Sequence, residues 1–123
     1  MAFQYVALRC VPRVDREEFL NVGVVLHCQD ADYLACAEHV DDARLSTLAP
    51  ALDVESVRSA LAAVTAVCEG AASAGAAGRA PLGIRFGFLS APRSTVVQPG
   101  PIHGGITADP AAELGHLLAT LVR

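Results

Sequence analysis

The sequence predicts an α+β fold: a small, mostly antiparallel sheet built from three N-terminal strands plus a later strand, with two main helices packed on it. Three observations carry this. Apolar and β-branched residues dominate three early runs, 3–11, 20–28 and 33–40. Apolar residues then recur at spacings of three and four in 54–68 and again in 114–121. No composition break interrupts the 123 residues, so the chain reads as one domain, 1–123, long enough to bury a core without disulfide or metal staples.

The first strand, 3–11, stops at Pro12, which cannot continue a ladder. A charged connection, 12–19, leads into the second strand. That strand and the third form a hairpin around Gln29-Asp30-Ala31-Asp32. The hairpin is apolar on both faces, so it needs cover on at least one side. A short helical turn is expected over 42–48, ended before Pro50. Asp53 then N-caps a four-turn amphipathic helix through Val54, Val57, Leu61, Val64 and Cys68 that ends near Gly70.

Residues 69–81 (EGAASAGAAGRAP) lack a large apolar anchor and read as a mobile loop. Residues 82–89 (LGIRFGFL) read as a strand that would pair with the N-terminal sheet, the alternative being a short helix with two poorly placed glycines. A short extended piece is expected at 94–98 and a Gly/Pro-rich loop at 99–107. Asp109-Pro110 opens a final helix with the stripe Leu114, Leu117, Leu118, Leu121. Both main helices are expected on one face of the sheet.

Composition narrows the functional classes. All nine basic residues are arginine, and the formal charge of −4 argues against sequence-independent binding to nucleic acid, which needs a basic face. The N-terminus lacks a basic leader followed by an apolar run, and no stretch approaches the roughly 20 apolar residues of a membrane span, so a cytoplasmic protein is expected. Cys10, Cys28, Cys36 and Cys68 contain no C-x-x-C pair and read as reduced, small hydrophobes.

The densest cluster of polar residues lies between the first two strands, in the order Y-x-x-L-R-x-V-P-x-x-x-R-x-E-F-x-N-V-G-V-x-L from Tyr5 to Leu26. It resembles the opening of a bacterial family known as domain of unknown function 3037. The run from Phe86 to Val97 is similar to that family's F-G-x-L-x-x-P-R-x-V segment, and D-P-x-x-E-L follows in Asp109 to Leu114. The chain departs from the pattern at Ala7 and in a long stretch, 98–106. The resemblance implies no activity and no cofactor. It does imply a context, since some relatives are encoded beside a protein with a HipA-like kinase domain.

Arg9, Arg13, Arg16 and Arg93, with Glu17, Glu18 and Asn21, form the constellation that could carry function. Guanidinium forks bind carboxylates and phosphates, and a loop leaving a strand end can converge several on one anion. The alternative is structural: Arg13 and Arg16 solvated, and Arg9 in an ion pair with Glu17 or Glu18. Gly23 inside a strand marks a bulge or a close approach of backbone.

His27, Cys28, Cys36 and His39 lie on the two arms of the hairpin, but neighbours on a strand point to opposite faces, so no metal site is assigned. None of the serines stands in a G-x-S-x-G elbow, and 100–105 (GPIHGG) lacks the lysine of a phosphate loop. No catalytic residue is assigned either. The leading expectation is a non-catalytic interaction module for a partner protein such as a HipA-like kinase. A homodimer is a secondary expectation, in which a copy of the chain covers a second apolar face. The competing expectation is a small enzyme or ligand-binding protein that holds an anionic group through Arg9, Arg16 and Arg93, with Glu17 as a base.

Overall fold

The structure is a computed structural model that describes residues 1–13 and 16–123. Positions 14 and 15, inside the charged connection, lie outside the described residues. β1 (Ala2–Cys10), β2 (Leu20–Cys28) and β3 (Tyr33–Glu38) form an antiparallel meander. The β2–β3 turn is a short 3-10 turn, Gln29–Ala31, closed by Asp32 in the left-handed region (φ 50°). Asp tolerates that conformation better than most residues.

β2 is paired with both β1 and β3, and β1 is likewise paired along both of its edges. β2 lines one edge, and two short strands share the other: β5 (His103–Ile106) runs antiparallel beside Ala2–Tyr5, and β4 (Val97–Pro99) beside Leu8–Cys10. The later strand expected from the sequence therefore exists, but it comes from these two pieces and not from 82–89. Residues 103–106 were expected in a loop because of their glycines. The glycines are what admits the strand: a Cβ on Gly105 would stand 2.8 Å from the Phe3 ring, and one on Gly104 3.2 Å from the Phe3 carbonyl oxygen.

Residues 82–89 are helical, not extended, and belong to α4 (Leu82–Ser90). The helix wins because its buried residues, Phe86 and Leu89, are one turn apart and pack on the sheet and on α2, with Phe86 stacked on His27 at 5.5 Å. The low-complexity stretch before it, expected as a mobile loop, carries a 3-10 turn (Ala72–Ala74) and a one-turn helix, α3 (Ala76–Arg79), with Gly78 buried. A Cβ on Gly78 would stand 2.9 Å from that of Ala74.

The two main helices lie on opposite faces of the sheet, not on one. α2 (Val54–Glu69) is N-capped by Asp53, which accepts from the Glu55 amide at 3.1 Å, and ends at Gly70 with φ 69°. It packs Val57, Leu61 and Val67 against Val6, Leu8, Cys10, Val22 and Val25, where Leu45 of α1 (Asp42–Leu48) and Phe86 join it. α5 (Pro110–Leu121), capped by Asp109, packs Leu114 and Leu118 against Phe3, Val24, Leu26 and Cys28 on the other face. The second apolar face that the sequence left for a copy of the chain is thus covered by α5.

Leu8 pairs with Gly23 but Arg9 pairs with Asn21, so Val22 is the extra residue of a β-bulge. Gly23 serves the bulge and a close approach together, since a Cβ there would stand 3.0 Å from the Ala37 carbonyl oxygen and 3.4 Å from Leu8 Cδ1. Gly23→Val is expected to lower the unfolding free energy by about 1–3 kcal/mol through overpacking between β1 and β3. Urea denaturation checks this, and an unchanged midpoint at unchanged slope would remove the constraint assigned to Gly23.

Candidate functional site

The end of β1 that carries Arg9 is where the motif residues gather. Odd-numbered β1 residues face α5, and on that face Arg9 stands between Asn21 of β2 and Gln98 of β4. The Asn21 side-chain amide donates to the Leu121 carbonyl at 3.0 Å, tying the bulged strand to the last turn of α5. Asn21 Oδ1 is buried without a hydrogen-bond partner. Arg9 makes none of the ion pairs expected of it: among the described residues no carboxylate of the connection reaches it, and its guanidinium carbon sits 4.1 Å from the centroid of the Phe19 ring. The aromatic face takes the place of the carboxylate.

The other arginines are apart from it. Arg13 and Arg16 line, with Glu18, Leu52 and Asp53, a cleft of about 540 Å³ between the connection and the start of α2. Arg16 pairs there with Glu18, both partners largely exposed, so the pair contributes little to stability. Glu17 is exposed with φ 57°. Arg93 lies on the α2 side of the sheet, where it donates to the carbonyls of Phe88 in the last turn of α4 and of Ala91 just beyond it, and rests 5.1 Å from the Phe88 ring. Four arginines do not close on one point; Arg13 and Arg16 share a cleft, Arg9 shares a polar row with Asn21, and Arg93 caps a helix.

Two further arginines act as clamps that composition gave no means of singling out. Arg44 donates to the Val122 carbonyl at 3.0 Å, beside the bond from Asn21, so α1 and β2 together satisfy the C-terminal carbonyls of α5. Arg85 on α4 donates to the Ala80 and Cys68 carbonyls at 2.6 and 3.3 Å, joining α4 to the end of α2.

The thiols and imidazoles are not arranged for nucleophilic or metal chemistry. Among the described residues no group of three His, Cys, Asp or Glu side chains could hold a metal ion. His27 stacks on Phe86 on the α2 side, while Cys28 belongs to the α5 cluster on the other face. Burial, reinforced by the neighbouring Cys68, pushes the Cys36 thiol up to about 12. Burial and Glu69 push Cys68 up to about 11, although Arg85 opposes them. Burial lowers His27 below its ordinary 6.5. His103 stacks on Tyr5 at 5.4 Å, and His116 is exposed on α5.

A five-stranded sheet sandwiched between helices, with arginines fixed by carbonyls and aromatic rings, defines a small α+β domain in which the described polar residues build no assembled acid–base centre. Comparison with known proteins places that domain. The profile of the family described as Protein of unknown function (DUF3037) matches residues 5–122, and the chain belongs to that family. No curated protein and no solved structure matches the chain.

Two expectations follow from the titrating groups. At about pH 8 the Cys36 thiol, held up near 12, should react with iodoacetamide on the order of a thousandfold more slowly than a free thiol. Mass-spectrometric labelling rates test this, and a free-thiol rate at Cys36 would contradict its burial. His27, with its folded pKa depressed, resists a proton that the unfolded chain accepts. Its neutral form therefore contributes fully above about pH 6.5, and stability is lost as pH falls from there toward the folded value. His27→Phe, which keeps the stack on Phe86, should flatten the change in urea midpoint between about pH 7 and about pH 5; an unaltered slope would assign that dependence to another group.

Proposed function

We propose that the protein is a non-catalytic interaction module of the bacterial cytoplasm that docks a partner protein through the exposed face of α4. The observation that carries this reading is the pair Ile84 and Phe88, one helical turn apart and 65% and 51% exposed, in a domain whose other large side chains are mostly buried. Phe88 also lines an apolar groove of about 610 Å³ with Ala63, Val64, Val67, Ala77 and Leu89 of α2, α3 and α4. Around this face the charge is one-sided. Residues 70–108 contain Arg79, Arg85 and Arg93 and no Asp or Glu, although the chain as a whole is acidic. Arg85 and Arg93 are held by carbonyls, which leave their charge uncompensated.

Such a face fits an apolar surface with an acidic rim on another protein, where the arginines steer the encounter and the apolar residues are desolvated. A HipA-like kinase-domain protein, the neighbour suggested by the family resemblance, is the partner proposed. The enzymatic reading has less support, because among the described residues no serine or cysteine hydrogen-bonds to a histidine. No helix of the described residues is long and apolar enough to cross a membrane, in keeping with the location proposed.

Co-expression of the tagged chain with the HipA-like protein of its own genome should give a complex that survives size-exclusion chromatography. Phe88→Glu, at an exposed position, should leave the melting temperature nearly unchanged and abolish the complex. Failure of the wild-type pair to associate, or retention of the complex by a folded Phe88→Glu variant, would refute the α4 surface.

A further inference from the structure

Asn21, Arg9 and Gln98 face one another in register across β2, β1 and β4, on the α5 side of the sheet and beside the last turn of that helix. The Arg9 guanidinium is fixed in this row by packing and not by hydrogen bonds. Phe19 lies over it at 4.1 Å, and the Gly100 backbone comes so close that a Cβ there would stand 3.1 Å from both Cζ and Nε. Among the described residues it has no carboxylate within ion-pair reach and no acceptor for its N–H groups. Nε is buried in that condition, while the residue as a whole is half-buried. Asn21 Oδ1, beside it, is a second buried polar atom without a partner.

Holding a guanidinium partly out of water with no counter-charge is unfavourable, and a half-buried arginine is ordinarily matched by a carboxylate or several carbonyls. Here the chain supplies a ring, a glycine and two neutral amides. We propose that this row is a binding site for a carboxylate, whose two oxygens take the Nη groups as a planar fork while Gln98 and Asn21 flank it. One cation with neutral neighbours matches a monoanion; a phosphate dianion would ask for further positive charge that the row does not provide. The carboxylate can belong to a small acid or to an Asp or Glu side chain of another protein. The motif residues Arg9 on β1, Phe19 just before β2 and Asn21 near its start are drawn together by this one role.

The test is a titration of the full chain with sodium acetate against sodium chloride at equal ionic strength, following the Arg9 Nε–H and Asn21 side-chain amide signals by proton–nitrogen correlation NMR. Acetate should give a saturable shift that chloride does not. Arg9→Lys keeps the charge and loses the fork, and should weaken acetate by about tenfold or more. Gly100→Ala removes no polar group but crowds the guanidinium, and should weaken it as well. A response to acetate that is linear and matched by chloride would overturn the site, and tighter saturation by sodium phosphate than by acetate would overturn the carboxylate assignment. A neutral-flanked glutamyl peptide separates the sources: tighter binding than acetate assigns the site to a partner's side chain, equal binding to a small acid, and both uphold it. The α4 face lies on the other side of the sheet, so loss of the acetate response would leave the docking proposal standing.

Discussion

The extra residue at Val22 organises this domain. Because side chains alternate along a strand, one inserted residue exchanges the two faces for everything beyond it. Val24, Leu26 and Cys28 point toward α5, and by simple alternation Asn21 would point toward α2. The bulge turns it over, so that Val22 joins the α2 core at full burial and Asn21 comes to lie beside Arg9, within reach of the Leu121 carbonyl. Gly23 makes the turn-over feasible by leaving room for the Ala37 backbone and for Leu8. The apolar core on one side and the polar row on the other are consequences of a single irregularity.

A central strand paired on both edges imposes the layered architecture. β1 presents Val6, Leu8 and Cys10 to α2 and Phe3 and Tyr5 to α5, so neither face can be left to solvent without exposing large apolar area. The helices on the two faces are tied down differently. α2 is held by its own caps, a broad apolar contact and the Arg85 bond to the Cys68 carbonyl, whereas the last turn of α5 is fastened by two side-chain donors, Asn21 and Arg44. The polar groups near the motif are thus divided between fastening the fold and facing outward.

How much of this was legible depended on whether a segment's local pattern and its tertiary environment agreed. β2 matches its expected bounds because a long apolar run can only be buried, and α2 and α5 because Asp53, Gly70 and Asp109-Pro110 state their own boundaries. In α4 the two disagree. Leu82, Ile84, Phe86 and Phe88 alternate with Gly83, Arg85 and Gly87 as a strand would, yet the helix is selected by Phe86 and Leu89 meeting the core together. β5 was hidden because its glycines weaken strand propensity, and their purpose, clearance for the Phe3 ring, is visible only in three dimensions. At the candidate site, Arg9 and Asn21 were legible as unusual polar residues in strands. Their surroundings were not, since Phe19, Gln98 and Gly100 look ordinary in the sequence and a charge in a strand suggests a carboxylate before it suggests a ring.

The pairing of β1 with β4 and β5 sets an order of events during synthesis. β1, β2 and β3 leave the ribosome as a complete hairpin-linked meander, but the strands that cap the far edge of β1 and the helix that covers Val24 and Leu26 are translated long afterwards. Until then the nascent chain displays an unpaired strand edge beside an uncovered apolar sheet, the combination most prone to joining edges with another nascent chain. Shielding that intermediate is therefore a requirement for productive folding distinct from the stability of the finished fold.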